Sequence, residues 1–122
     1  MRFIATFVLA VFFQPILAQI NQKLQARLDQ QAKEIEGKVI DWRRHIHQYP
    51  ELSNREEKTG AYIAEHLKAL GLKVQTGVAH TGVVALLETG KPGPVIALRA
   101  DIDALPVTER GNLPFASRER VQ

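Results

Sequence analysis

Cysteine is absent from the 122 residues. That excludes a disulfide framework, the usual supplement to a thin core in small exported domains, and it excludes a lipid-modified N-terminal cysteine. Aromatic residues are scarce at 7%, with a single tryptophan, and they form no patch interleaved with basic residues, so a nucleic-acid surface is not supported. Charge of either sign is not in large excess. The net charge is +3, and setting aside Arg2 leaves 15 basic against 13 acidic side chains. The pI near 9.5 reflects that small surplus of bases rather than a binding surface. G-x-S-x-G, Walker A and H-E-x-x-H are missing, as are internal repeats and low-complexity linkers.

What is present begins with an apolar segment. Met1 and Arg2 form a short positive start, and FIATFVLAVFF follows without a charge. The run falls short of the roughly 20 apolar residues that a membrane-spanning helix needs. Pro15 breaks it, and Ile16 and Ala18 fit the −3 and −1 positions of a signal-peptidase site. The expectation is a signal peptide over residues 1–18, cleavage near Ala18, export to a periplasm or the exterior, and no stable membrane anchor. Residues 19–122 then form the mature chain.

The spacing of Leu24, Leu28, Ile35, Val39, Trp42 and Ile46 is that of one helical face, and it predicts a helix from about Asn21 to Gln48. Asn21 is the expected N-cap. Gly37 costs about 1 kcal/mol relative to Ala in mid-helix, so the helix can kink or break there. Pro50 disfavours helical geometry at Tyr49 and ends the element. A second helix is predicted behind a capping box of Ser53 and Glu56. Its inner face carries Thr59, Tyr62, Ile63, His66, Leu67 and Leu70, and Gly71 is its C′ residue.

The period then changes to two. LKVQT alternates, with Leu72, Val74 and Thr76 on one side, and GVAHTG reads as a turn. VVALLE and PVIALR are apolar runs joined by TGKPG, and they predict a hairpin of residues 83–88 with 94–99. Both runs are nearly continuous, so the sheet is expected to be covered on both faces. The two helices supply one cover and nothing in the chain supplies the other. The expected result is two helices followed by about three strands of an α/β domain that is incomplete at Gln122.

Ionisable residues gather in two places. His45 and His47 form an H-x-H pair, but helical positions i and i+2 point about 200° apart, so one metal cannot take both from one face. Helix-end histidines facing solvent or packing is the expectation, and His66 and His80 are read as structural. In RADIDALP, Asp101 and Asp103 would project to the same side of a strand, at the strand end where α/β sheets carry their sites. Adjacent carboxylates repel unless a cation or donors compensate, and Arg99 or a divalent metal is the natural compensator. A helix-capping aspartate followed by a solvated one is the alternative.

The segments RRHIHQYPELSNREEKTGAYIAEHLKALG, TGVVALLE and GPVIALRADIDALPVTE, in this order and spacing, resemble the amino-terminal part of the M20 metallopeptidase family. The resemblance is greatest to its aminoacylase-like branch: hippurate hydrolases, N-acyl-amino-acid amidohydrolases and auxin-conjugate hydrolases. It runs from about Ile40 to Ser117. It implies a zinc-peptidase-like α/β/α catalytic domain interrupted by a smaller dimerisation or lid domain. It also implies a metal-activated water that attacks an amide carbonyl, with a carboxylate as general base.

In many members the segment matching Asp101-Ile102-Asp103 reads His-x-Asp, where the His binds metal and the Asp orients it. Here the first position is Asp101, as is usual in the amidohydrolase branch. The resemblance therefore implies Asp103 as the catalytic-site residue, orienting the site, with Arg99 and Asp101 beside site or substrate. It implies no metal ligand in this chain. That branch takes its metals from a later Cys-Gly-His segment, a Glu pair and distant histidines, and PFASRERVQ resembles the approach to that segment.

The resulting expectation is the N-terminal fragment of an exported, metal-dependent amidohydrolase that cleaves the amide bond of N-acyl-amino acids or related conjugates. The full-length family implies zinc, manganese or cobalt, an N-acyl-amino-acid-like small molecule, and a homodimer formed through a domain absent here. This chain alone is expected to bind no metal and to be inactive. The competing expectation is a short exported interaction module that reuses the same half-sheet without catalysis. No nucleic-acid partner is expected.

Overall fold

The computed structural model describes residues 21–120, so the expected signal peptide lies outside the described residues. The chain divides into two compact units, residues 1–36 and 37–122. Helix α1, Gln22–Gln48, contributes to both. In the first unit Asn21 caps it as expected: its Oδ1 accepts the Leu24 N–H at 3.1 Å, satisfying a donor that the helix itself leaves unpaired. Two polar pairs spaced by four residues reinforce the exposed surface, Gln25 to Asp29 at 2.8 Å and Gln30 to Glu34 at 3.0 Å.

The second unit carries the rest of α1. Gly37 does not break the helix, which runs through it to Gln48. One glycine's penalty is small against the hydrogen bonds of a helix already propagated on either side. The helix stops where Pro50 requires, with a last bond from the Tyr49 N–H to the His45 carbonyl at 3.2 Å.

Helix α2 spans Glu57–Ala69. The expected capping box is not formed, since Glu56 occupies the N-cap without a side-chain cap bond. The cap comes from further upstream. Asn54 adopts a left-handed φ of 64°, and the Arg55 N–H bonds the Leu52 carbonyl at 2.9 Å. With the chain so turned, the Glu51 carboxylate accepts the N–H groups of Lys58 at 3.2 Å and Thr59 at 2.7 Å. A carboxylate reaching two N–H groups of the first turn outcompetes a local Ser hydroxyl, because it also meets the positive end of the helix dipole. The other end is as expected. Gly71, at φ 77°, is the C′ residue of a Schellman motif, with the Leu72 N–H bonded to the Leu67 carbonyl at 3.3 Å and the Gly71 N–H to that of Lys68 at 2.9 Å.

Strands β1, Lys73–Val78, and β2, Gly82–Leu86, form an antiparallel hairpin. Val74 pairs with Ala85 and Thr76 with Val83, and the register shifts between Thr76 and Val78. Helix α2 packs on this hairpin. The approach is closest at Gly60, where a Cβ would lie 2.8 Å from the Thr81 carbonyl oxygen. Ala64, 3% exposed, is the buried hydrophobic residue of this contact, with Thr59 and Glu56 buried beside it. The Glu56 carboxylate is satisfied there by the Thr81 hydroxyl, which donates at 2.6 Å. Of the residues expected on the inner face of α2, Leu70 is exposed; it follows the last helical turn.

The expected pairing of residues 83–88 with 94–99 is not observed. Residues 83–86 belong to β2 and pair with β1, while 94–99 lie outside any strand. Val95, Ile96 and Leu98 are 93%, 81% and 96% exposed. A continuous apolar strand needs cover on both faces. Among the described residues α2 covers one side of the hairpin only, so the run has no surface to seat on. Among the described residues no helix is long and apolar enough to cross a membrane.

Two glycine substitutions should have opposite signs. Gly60→Ala should destabilise the second unit by about 1–3 kcal/mol, because the Thr81 carbonyl must move. Gly37→Ala, at a position with nothing within 4 Å, should stabilise α1 by about 1 kcal/mol. Urea titration followed by far-ultraviolet ellipticity reads both.

Candidate functional site

The RADIDALP segment lies outside any helix or strand, apart from a bridge at Ala104. Ile102 is half-buried between exposed Asp101 and Asp103, so the alternation expected of a strand survives without the strand. Arg99 and Asp101 form an ion pair, Nη2 to Oδ1 at 3.0 Å, with side chains 89% and 76% exposed. At such exposure its worth is within the 0–1 kcal/mol of surface pairs, and its effect is to neutralise Asp101 locally. Asp103 is held differently, through its neighbour. The Ala104 N–H bonds the Glu51 carbonyl at 2.7 Å, and Leu52 and Ala104 form a single parallel bridge.

Beyond Ala104 the chain lies along the end of α1. The Arg118 N–H bonds the Gln48 carbonyl at 2.9 Å, and Arg118 Nη1 donates to the Tyr49 hydroxyl at 3.2 Å. Glu109 bridges within this segment. Its Oε1 lies 3.1 Å from His47 Nε2, and its Oε2 accepts the Ser117 N–H at 2.7 Å. An ionised carboxylate only accepts, so His47 Nε2 carries the proton of that bond. Phe115 meets the His47 ring edge-on at 5.6 Å, and the Arg44 guanidinium stands 4.9 Å from the Phe115 ring centre. A cavity of about 560 Å³ lies alongside, lined by Pro50, Leu52, Leu105, Val107, Glu109 and Ser117 among others.

The two histidines of the H-x-H pair part company, as their helical positions require. His45 stacks on Tyr62 at 4.3 Å while His47 turns to Glu109. His66 packs between Trp42 and Tyr62 at 5.5 and 4.4 Å, and its Nδ1 is 2.9 Å from the Tyr62 carbonyl. His80 sits in the β1–β2 turn at φ 93°. Among the described residues no three His, Cys, Asp or Glu side chains converge on a common point. Asp101 is committed to Arg99, and the described donor set does not by itself make a metal centre.

Sequence reasoning missed Glu51, Glu109, Phe115 and Ser117. Glu51 and Glu109 lie outside any periodic run, and Glu109 meets a partner 62 residues away, so no local pattern could mark them.

Comparison with known proteins places this arrangement. No family model matches the chain. Over 86 residues it is 48% identical to the N-acetyl-L-cysteine deacetylase of Bacillus subtilis, a stretch covering 70% of this chain and 21% of that one. Over 85 residues it is 45% identical to the N-acyl-L-amino acid amidohydrolase of Geobacillus stearothermophilus, covering 70% and 23%. Among solved structures the Bacillus subtilis YXEP protein, described as a dinuclear metal-binding peptidase from the M20 family, matches with a TM-score of 0.65 at 42% identity, over 71% of this chain and 25% of that chain. The chain is similar to the N-terminal part of M20-family proteins. It spans about a quarter of the length of these relatives. Its two helices and antiparallel hairpin match the N-terminal part of an M20 peptidase-like α/β domain.

Two glutamates tie the stability of the second unit to pH. The Thr81 hydroxyl holds the Glu56 carboxyl below the ordinary glutamate range. The Ser117 N–H, and after it His47, does the same for Glu109. A depressed folded-state pKa contributes stability that is present above the unfolded value of about 4.3 and lost as pH falls through the folded one. Acid should therefore destabilise the second unit from about pH 4.3 downward. Thr81→Val should flatten that acid limb. Equal acid sensitivity of the variant and the natural chain, in urea midpoints taken at pH 6 and at about pH 3, would discount the Glu56 bond as a cause.

Proposed function

We propose that this chain forms the N-terminal part of a metal-dependent amidohydrolase that cleaves the amide bond of N-acyl-amino acids or related conjugates. The observation that carries the reading is its 45–48% identity, over 85 and 86 residues, to two relatives named for removing N-acyl groups from amino acids. The M20 neighbour described as a dinuclear metal-binding peptidase supports a divalent metal in the complete enzyme. The described residues of this chain do not form that centre.

In this reading Asp103 orients the site and the Arg99–Asp101 pair flanks it. Asp103 is exposed, as a carboxylate must be if it is to meet groups supplied from elsewhere in an enzyme. Glu51 and Ala104 set its backbone. The charged N-terminal start and apolar run of residues 1–18 support export, with cleavage near Ala18.

This chain alone should not hydrolyse an N-acetyl-amino acid in the presence of added zinc, manganese or cobalt, and turnover above the blank would overturn that expectation. The family role is tested by replacing the matching segment of the Geobacillus stearothermophilus amidohydrolase with residues 40–117 of this chain. The chimera should retain hydrolysis. Asp103→Asn within it should lower kcat by roughly 10–100-fold, the usual effect of losing a carboxylate that orients a metal site. An unchanged kcat would remove Asp103 from the site.

A further inference from the structure

The segment that follows Asp103 is a strap, tied at its return by Arg118 to the Tyr49 hydroxyl and fastened in its middle by Glu109. Residues 104–118 leave α1's end at Ala104, whose N–H is held by the Glu51 carbonyl, and return to it at Arg118, whose N–H is held by the Gln48 carbonyl. Between these two points the segment carries no helix and no strand beyond the isolated Leu52–Ala104 bridge. Backbone bonds at the two ends alone leave the middle free to open.

Glu109 closes the middle. One carboxylate oxygen engages the His47 ring on α1, and the other takes the Ser117 N–H on the returning limb. The outgoing limb, the returning limb and the helix thus meet on a single carboxylate. Phe115 completes the fastening by lying against both His47 and Arg44. Glu109, Phe115 and Ser117 are half-buried, so the Glu109–Ser117 bond is partly sheltered from exchange with solvent, while the His47 side of the fastening is open to it.

We infer that Glu109 is the positioning residue for the Asp101–Asp103 segment: by joining His47 to Ser117 it holds the strap that fixes Ala104, and through Ala104 the backbone of Asp103. The functional weight of this placement rests on Asp103 as a site residue, as proposed above; the strap itself does not. Glu109 touches neither carboxylate and acts only through the chain between them.

Amide hydrogen exchange by NMR on the full 122-residue chain tests it. In Glu109→Ala, protection of the Ala104, Ser117 and Arg118 amides should fall at least tenfold and the Asp103 amide resonance should move, while the amides of α2 and of the β1–β2 hairpin keep their protection. Glu109→Gln retains an acceptor for Ser117 and a polar atom facing His47, and should restore most of the protection. His47→Ala, a milder cut that spares the Ser117 bond, should loosen Ala104 by a smaller factor. Unchanged Ala104 and Asp103 amides in Glu109→Ala would overturn the inference. So would a uniform loss across α2 and the hairpin, which would mark Glu109 as a general stabiliser. An inactive chimera would leave this exchange pattern standing, and a flat exchange pattern would leave the chimera's activity standing, so the two readings fail separately.

Discussion

Glu51 is the point on which the second unit depends. Its carboxylate takes the Lys58 and Thr59 N–H groups at the start of α2, and its carbonyl takes the Ala104 N–H. One residue therefore joins the end of α1, the start of α2 and the segment that carries Asp103. Pro50 has just ended α1, so the Glu51 carbonyl is free to accept from Ala104 rather than from within a helix. The negative charge sits at a helix N-terminus, where the dipole favours it. Losing this residue would release three elements at once, whereas losing the Arg99–Asp101 pair would release none.

The hydrophobic contribution is arranged around that node and is small. Ala64 is buried where α2 crosses the hairpin, and the closeness of the crossing rests on Gly60 rather than on large interdigitating side chains. The larger apolar residues are elsewhere. Val95, Ile96 and Leu98 present almost all of their surface, and burying each would contribute about 1.5–3 kcal/mol. Local polar bonds therefore carry an unusual share of the described organisation. This explains why buried Glu56 is paired with Thr81 and half-buried Glu109 with His47 and Ser117: an unpaired carboxylate in either place would cost more than so thin a core returns.

Set beside the M20 relatives, the same features acquire a direction. The segment bearing Arg99, Asp101 and Asp103 is held at Ala104 by Glu51 and Leu52 of the loop between α1 and α2, and Asp101 and Asp103 are exposed. Carboxylates so displayed are suited to groups contributed by other parts of a larger enzyme.

Both helices, the Asn21 cap, the Pro50 stop and the Gly71 Schellman end could be read from the sequence, because each depends on residues within a turn or two of one another. The separation of His45 from His47 followed from helical geometry alone, and the similarity of the RADIDALP segment to the M20 pattern lay in its order and spacing. Which carboxylate would cap α2, which strands would pair and what would fasten residues 104–118 could not be read in that way. Glu51 displaced the capping box of Ser53 and Glu56 because a turn at Asn54 brought it over the helix. Residues 94–99 stayed unpaired because a two-sided apolar strand needs surfaces that their own sequence does not provide. Glu109 found His47 across 62 residues of chain. Periodicity and capping rules act over a few residues, and so the sequence by itself determined the elements. Partners brought together by the folded backbone decided the contacts that place Asp103.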